Sequence, residues 1–101
     1  MIILIFQIRN KIRKGEYRLS DHALKRMIQR SIERLEIEEA VLNGEIIEDY
    51  PDDKYAPSCL ICGKTNHDRV LHVHVSLPPK IVVITTYEPD VEEWLNCRFR
   101  R

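Results

Sequence analysis

Three basic side chains recur at steps of four in one part of the chain: His22, Arg26 and Arg30. Residues four apart lie on the same side of a helix, so one imidazole and two guanidinium groups would share a face. Imidazole titrates near neutral pH and guanidinium stays charged, so together they can bind a phosphate and exchange protons with it. The spacing therefore indicates phosphate chemistry, although a solvated helix face produces the same pattern.

Two further polar side chains complete a possible RNA-cleaving set. His72 lies in an alternating segment typical of a strand, and Tyr87 ends the next apolar segment. Metal-free RNA cleavage proceeds by attack of the 2′-hydroxyl on its phosphate, which needs a proton acceptor, a proton donor and fixed positive charge. We expect His22 and His72 to transfer the protons. Arg26 and Arg30 would supply the charge, with Tyr87 as a further donor; a half-exposed sheet face would account for His72 equally well.

Helical periodicity predicts the elements that position the first three residues. Isoleucines at 5, 8 and 12 recur at helical spacing, although alternation at 4, 6 and 8 leaves a strand open. Ser20 or Asp21 can cap the next helix, whose apolar side would carry Ala23, Leu24, Met27 and Ile28. The predicted segments are a helix over Ile3–Lys14, an extended link over Glu16–Leu19, and helices over Ser20–Arg30 and Arg34–Asn43, with a break at Ser31–Glu33.

From Glu45 the period changes to two, which predicts strands. These strands are expected over Glu45–Tyr50, Ser58–Cys62, Arg69–Ser76 and Ile81–Tyr87. The β-branched last segment is typical of a central strand buried on both faces. Short connections favour antiparallel pairing, so the predicted fold is α+β, with two or three N-terminal helices on a four-stranded antiparallel sheet. A short helix around Val91–Leu95 and a basic tail would follow.

Composition predicts a single domain, comprising residues 1–101, in the cytoplasm. The chain has 101 residues, 44% of them apolar, which suffices for one core. The apolar segment Ile2–Phe6 is too short to span a membrane and lacks signal-peptide features. Three cysteines, an odd number without disulfide-framework spacing, favour a reducing compartment.

Charge is zero in total but unevenly distributed along the chain. Residues 1–34 hold nine Lys/Arg and three Asp/Glu, a net +6, and residues 35–56 hold one Lys and eight Asp/Glu, a net −7. The remaining residues are at +1. This distribution is typical of a protein with RNA on one side and a protein partner on the other, but two faces attracting each other within the fold would produce it too.

Cysteine and histidine spacing raises a zinc site as an alternative. Cys59 and Cys62 have the local spacing of a zinc knuckle, and His67, His72 and His74 follow. Residues three apart on a strand point to opposite faces, however, and no second pair completes a tetrahedral set. We therefore expect neither a metal nor a cofactor.

Motifs along most of the chain resemble a family of small bacterial and archaeal proteins of unassigned function. The resemblance runs from about Tyr17 to Trp94. It rests on Tyr17-Arg18-Leu19-Ser20-Asp21-His22-Ala23, Arg26-Met27, Arg30, Asn43-Gly44-Glu45-Ile46-Ile47-Glu48, Tyr50-Pro51, Pro57-Ser58-Cys59-Leu60, Gly63, Leu71-His72-Val73, Thr85-Thr86-Tyr87-Glu88-Pro89 and Trp94.

That family has been grouped with the barnase, EndoU, colicin and RelE-like nuclease fold, and its members look like toxins of toxin-antitoxin pairs, some similar to MqsR. The resemblance implies helices followed by a four-stranded antiparallel sheet, and a metal-independent ribonuclease neutralised by an antitoxin. The polar residues typical of the family correspond to His22, Arg26, Arg30, His72 and Tyr87 in this chain. Ser31 departs from the pattern, where glycine is usual, and His74 and Cys62 lie outside it.

The leading hypothesis is an endoribonuclease toxin whose partners are an RNA substrate and an antitoxin, with no membrane association. Its oligomeric state stays open. A non-catalytic module that binds a protein through its acidic segment or basic helix is the alternative from a different class, and a zinc-binding domain is the third.

Overall fold

Three helices dominate the first part of the chain and strands the remainder. The computed structural model describes residues 2–54 and 56–101. The helices are α1 (Ile2–Arg13), α2 (Asp21–Arg30) and α3 (Arg34–Asn43). The strands are β1 (Tyr17–Leu19), β2 (Glu45–Tyr50), β3 (Ser58–Lys64), β4 (Val70–Ser76), β5 (Ile81–Tyr87), β6 (Trp94–Leu95) and β7 (Phe99–Arg100). In the described residues no helix has the length and apolar character needed to cross a membrane.

Local capping determines where the helices begin and end. The Ser20 hydroxyl accepts the Ala23 N–H at 2.9 Å and so caps α2. Ser31 adopts a left-handed conformation, with φ 52°, which ends that helix. Reciprocal hydrogen bonds between Glu33 and Glu36 begin α3. The predicted bounds of all three helices are confirmed to within one residue.

The predicted four-stranded antiparallel sheet is wrong. The main sheet has five strands in the order β1-β5-β4-β3-β2, and β1 runs parallel to β5. The segment predicted as an extended link pairs Tyr17 with Ile81 and Leu19 with Val83. Three residues are too few for a period of two to be visible, and the partner strand lies far along the chain. The fold is therefore α+β with a mixed sheet, which corrects the RelE/barnase-like expectation.

The predicted short helix near the C-terminus is also wrong. Trp94 pairs with Arg100 and Leu95 with Phe99 in a small two-stranded sheet, here called the C-terminal hairpin (residues 94–100). Its turn contains two successive non-glycine residues in the left-handed region, Asn96 and Cys97, with φ 53° and 66°. A helix cannot pass through such residues, so the chain reverses direction there.

The main sheet has one face packed against the helices and one covered in part by the C-terminal hairpin. Leu71, Val73 and Val75 of β4 lie in the core together with residues of all three helices, which confirms the predicted alternation. The opposite face carries His72 and His74. Most of the polar residues described in the next section, both predicted site residues and others, lie on or beside this second face.

Strand β5 lies between β1 and β4, as its composition predicted. Its burial nevertheless alternates: Ile81 and Val83 are buried, whereas Val82 and Ile84 are only half-buried. The prediction of burial on both faces is therefore wrong, and three side chains of this strand, Val82, Ile84 and Thr85, line a pocket.

Candidate functional site

Helix α2 is rotated about its own axis relative to the predicted orientation, so part of its predicted apolar side is exposed. Ala23 is fully buried as expected, but Leu24 is 44% exposed and Ile28 is 82% exposed. Ser20 explains this orientation: its N–H donates to the Val83 carbonyl and its hydroxyl to the Ile84 carbonyl, which fixes the helix start against β5. The small Ala23 side chain then permits close approach to the sheet.

The three basic residues of α2 have different surroundings. His22 is exposed at the first turn and lines a pocket. Arg26 donates a hydrogen bond to Gln29 at 2.7 Å. Arg30 donates to the Thr86 carbonyl at 3.0 Å, and its guanidinium carbon lies 6.0 Å from the centroid of the Tyr87 ring. His22 and Arg30 therefore lie next to β5, and among the described residues Arg30 is the member of the three that contacts another predicted site residue, Tyr87.

The pocket beside His22, here called the His22 pocket, has a volume of about 700 Å³. Two cationic side chains, Arg18 of β1 and Lys80 of the turn before β5, line it together with the imidazole. Within the described part of the chain its lining includes no carboxylate. The other lining residues are small, hydroxyl-bearing or aliphatic: Ser20, Ala56, Ser76, Val82, Ile84 and Thr85. An anion would therefore meet positive charge and hydrogen-bond donors there.

His72 is fully buried under the C-terminal hairpin. Its Nε2 lies 2.6 Å from the Cys97 carbonyl, which can only accept, so Nε2 carries the proton. Its Nδ1 lies 3.3 Å from the Tyr87 hydroxyl, and its ring meets Trp94 edge to face at 4.5 Å. Burial lowers the pKa of His72, which favours the neutral imidazole. His72 and Tyr87 are thus neighbours, but the hairpin separates His72 from solvent.

A serine, a histidine and an aspartate meet on the same sheet face, and sequence analysis missed this set. Ser58 donates to Asp53 at 2.7 Å, and its hydroxyl lies 2.8 Å from Nε2 of His74. The same nitrogen lies 3.3 Å from the Asp53 carboxylate. In a nucleophilic triad the carboxylate binds the opposite ring nitrogen, and the serine is accessible. Ser58 is fully buried, so the arrangement is structural.

An ion pair between Glu48 and Arg100 attaches the C-terminal hairpin to this face of the sheet. Arg100 donates to both oxygens of Glu48, at 2.7 and 3.1 Å, and lies 4.6 Å from the Trp94 ring centroid. The hydrogen bond from Arg100 lowers the pKa of Glu48. Tyr50 also donates to Glu48, and burial raises the pKa of Tyr50 to about 12. The distance in sequence between these residues explains why no motif indicated them.

Cysteines provide the covalent attachment of the hairpin. Cys62 of β3 and Cys97 form a disulfide with a Cα–Cα distance of 6.5 Å, whereas Cys59 is free and buried in the core. The three cysteines, whose spacing showed no disulfide framework, therefore include one bonded pair. Cys59 and Cys62 point to opposite faces of β3, as the strand periodicity predicted.

The fold and these sites define a small α+β protein with a cationic pocket and a tethered hairpin. Residues 19–88 match the domain of unknown function DUF4258, so the chain belongs to that family. No curated protein and no solved structure matched the chain. The family has no assigned activity, and its match includes the His22 pocket apart from Arg18 but ends before the hairpin.

Proposed function

We propose that this protein is a metal-independent endoribonuclease whose reacting centre is the His22 pocket. The observation that supports this most is the placement of one exposed imidazole in the same pocket as Arg18 and Lys80. Phosphodiester cleavage needs a group that exchanges protons near neutral pH and positive charge at the phosphate. Because side chains supply that charge, the chemistry requires no metal.

His22, Arg18 and Lys80 each have a defined task in this proposal. The imidazole of His22 takes the proton of the 2′-hydroxyl, whose oxygen forms a bond to phosphorus. The bond from phosphorus to the 5′-oxygen breaks, and the imidazolium returns the proton to that oxygen. Arg18 and Lys80 bind the phosphate oxygens, on which negative charge accumulates in the transition state. The products are a cyclic phosphate and a 5′-hydroxyl.

Other members of the predicted set have supporting tasks. Arg26 and Arg30 follow His22 at one and two further turns, and so they would bind neighbouring phosphates of the strand. Tyr87 lies beneath the guanidinium of Arg30 and next to His72. We therefore propose that Tyr87 and His72 position Arg30 and do not transfer protons.

Substitution of His22 tests the proposal. His22→Ala should slow cleavage of a single-stranded RNA by about 10²–10⁴-fold, the usual contribution of a proton-transferring group. His67→Ala is the matched control, since His67 is an exposed histidine in the loop after β3. Cleavage is followed on gels in the presence of a chelator. Equal rates for His22→Ala and the unsubstituted protein, or no cleavage of any RNA offered, would contradict the proposal.

We propose further that an antitoxin protein restrains this activity in the cytoplasm by covering α2. Leu24 and Ile28 form an exposed apolar pair one turn apart on the helix that carries His22. Ile28→Asp should abolish co-purification of the partner and leave RNA cleavage intact. Ile3→Asp is the matched control, because Ile3 is a similarly exposed isoleucine on α1.

The same apolar pair favours the alternative function, a non-catalytic protein-binding module. The two proposals differ in one measurement. A partner that is lost in Ile28→Asp, from a protein that cuts no RNA in its free form, would support the binding module alone.

A further inference from the structure

Three side chains with ligand atoms for a soft metal converge where the C-terminal hairpin meets the sheet. Cys62 on β3 and His72 on β4 are direct register partners, and Cys97 reaches them from the hairpin turn. One ligand atom from each residue lies within 4.8 Å of the other two. A tetrahedral Zn²⁺ with bonds of about 2.0–2.3 Å holds its ligands roughly 3.5–4 Å apart. The two sulfur atoms, which are bonded to each other in the disulfide, must therefore separate to that distance when the disulfide is reduced.

We propose that Cys62, His72 and Cys97 bind one Zn²⁺ ion when the two cysteines are thiols, and that their disulfide is the oxidised state of the same site. This departs from the sequence expectation of no metal, which considered Cys59 as the partner of Cys62. The hairpin supplies the third ligand, and no local spacing motif indicates it. The proposal does not rest on the ribonuclease proposal, because none of the three residues lines the His22 pocket and His72 has only a positioning task in RNA cleavage.

Hydrogen bonding prepares His72 as a ligand. Its Nε2–H donates to the Cys97 carbonyl, so the lone pair available to a metal lies on Nδ1. Metal-binding histidines commonly donate their other N–H to a backbone carbonyl, which fixes the ring and its tautomer. Binding through Nδ1 would replace the 3.3 Å contact between that nitrogen and the Tyr87 hydroxyl, and the hydrogen bond from Nε2–H to the Cys97 carbonyl would remain.

The backbone conformation of Cys97 and the access from solvent to the two cysteines both fit a metal site. Cys97 has φ 66°, a conformation that non-glycine residues adopt rarely, and the fold retains it next to two other ligands. Cys62 is 7% exposed. Both cysteines line an open cleft of about 1250 Å³, through which an ion can enter and a water molecule can occupy the fourth position.

Interconversion of the two states requires a dithiol reductant. The reductant delivers two electrons and two protons, the sulfur–sulfur bond breaks, and the reductant forms a disulfide of its own. Zn²⁺ then displaces the two thiol protons and binds the thiolates. In either state the hairpin remains attached to β3, so the site preserves the cover over His72 under reducing and oxidising conditions.

Metal analysis of the full chain tests the proposal. We expect one zinc per chain after purification with a dithiol reductant and without chelator. Co²⁺ added to the zinc-free reduced protein should produce a thiolate-to-cobalt charge-transfer band and tetrahedral visible bands. Cys62→Ala and Cys97→Ala should lower the bound zinc at least tenfold. Cys59→Ala is the matched control and should retain it, because that thiol faces the core.

A second pair of variants separates a ligand from a packing residue. His72→Cys should keep the metal through a third thiolate, whereas His72→Ala should lose it. No zinc and no cobalt band in the unsubstituted reduced protein would overturn the proposal, whether or not any variant folds. Zinc retained in both Cys62→Ala and Cys97→Ala would overturn it as well.

Discussion

Individual residues of the second sheet face combine in ways that sequence spacing does not reveal. His22, Arg26 and Arg30 were recognisable because helical spacing places them on one side of α2. Asp53, in contrast, meets His74 only because the loop before β3 returns to the sheet. His72 was expected either in the catalytic set or on a half-exposed sheet face, but the hairpin buries it, and a hairpin of two-residue strands leaves no periodic signal. Residue identity thus indicated the chemistry, while tertiary contacts decided which residues are accessible.

Burial of His74 makes stability depend on pH. Burial is the largest cause of the lowered pKa of His74, outweighing the nearby Asp53 carboxylate. The unfolded chain, with a histidine pKa of about 6.5, therefore binds more protons than the folded one just below that pH. The stabilising contribution is complete above about pH 6.5 and is lost as the pH falls towards the folded value. Ser58, Asp53 and Tyr50 face this imidazole.

Urea unfolding measures this effect. Between about pH 7 and about pH 5.5 the free energy of unfolding should fall by up to about 1 kcal/mol for this group. His74→Gln should reduce the fall without removing it, since the pKa of His72 is lowered in the same direction. His67→Gln, in an exposed loop, should follow the unsubstituted protein. An equal pH dependence in His74→Gln would contradict the burial argument.

At the scale of elements, helices were predictable and sheet order was not. Caps such as Ser20 and Glu33 are local, so the helix ends could be located from the sequence. Strand β1 has three residues, and its pairing with β5 is decided by a partner more than sixty positions away. Because β1 was predicted as a link, the predicted sheet was antiparallel instead of mixed. The other four of the five strands were located correctly.

Packing of α3 on β3 depends on a glycine. A Cβ atom on Gly63 would overlap the Ala40 carbonyl oxygen of α3 and would lie 2.9 Å from the Gly44 Cα. Gly63→Ala should therefore lower the free energy of unfolding by about 2–3 kcal/mol, because backbone on both sides must move. Chemical denaturation measures the loss.

Gly15→Ala provides the comparison for this packing effect. Gly15 has open space around its missing side chain but a φ of 71°, so alanine there should cost only about 1 kcal/mol, from backbone conformation alone. Equal losses at the two glycines would contradict the close-packing argument for Gly63.

Across the whole molecule, arginines of the C-terminal half neutralise part of the acidic segment. Glutamates of the acidic segment pair with late residues: Glu36 with Arg69, Glu45 with Arg98 and Glu48 with Arg100. These ion pairs join the acidic segment to residues beyond position 56 rather than to the basic residues 1–34, from which only Arg34 pairs with it, through Glu38, in the described part of the chain. Arg18 and Lys80 form no ion pair with a carboxylate in the described part of the chain, so the His22 pocket keeps its positive charge.

Unpaired cations predict a specific salt dependence of RNA binding. Each phosphate contact with a single strand contributes about 0.7 to the slope of log affinity against log salt, through release of counterions. Combined Arg18→Ala and Lys80→Ala should therefore reduce that slope by about 1.4. Combined Arg34→Ala and Arg98→Ala, which removes two exposed arginines already paired with Glu38 and Glu45, should leave it unchanged. Fluorescence anisotropy with a non-cleavable 2′-methoxy strand gives both slopes; equal reductions would locate the RNA elsewhere on the surface.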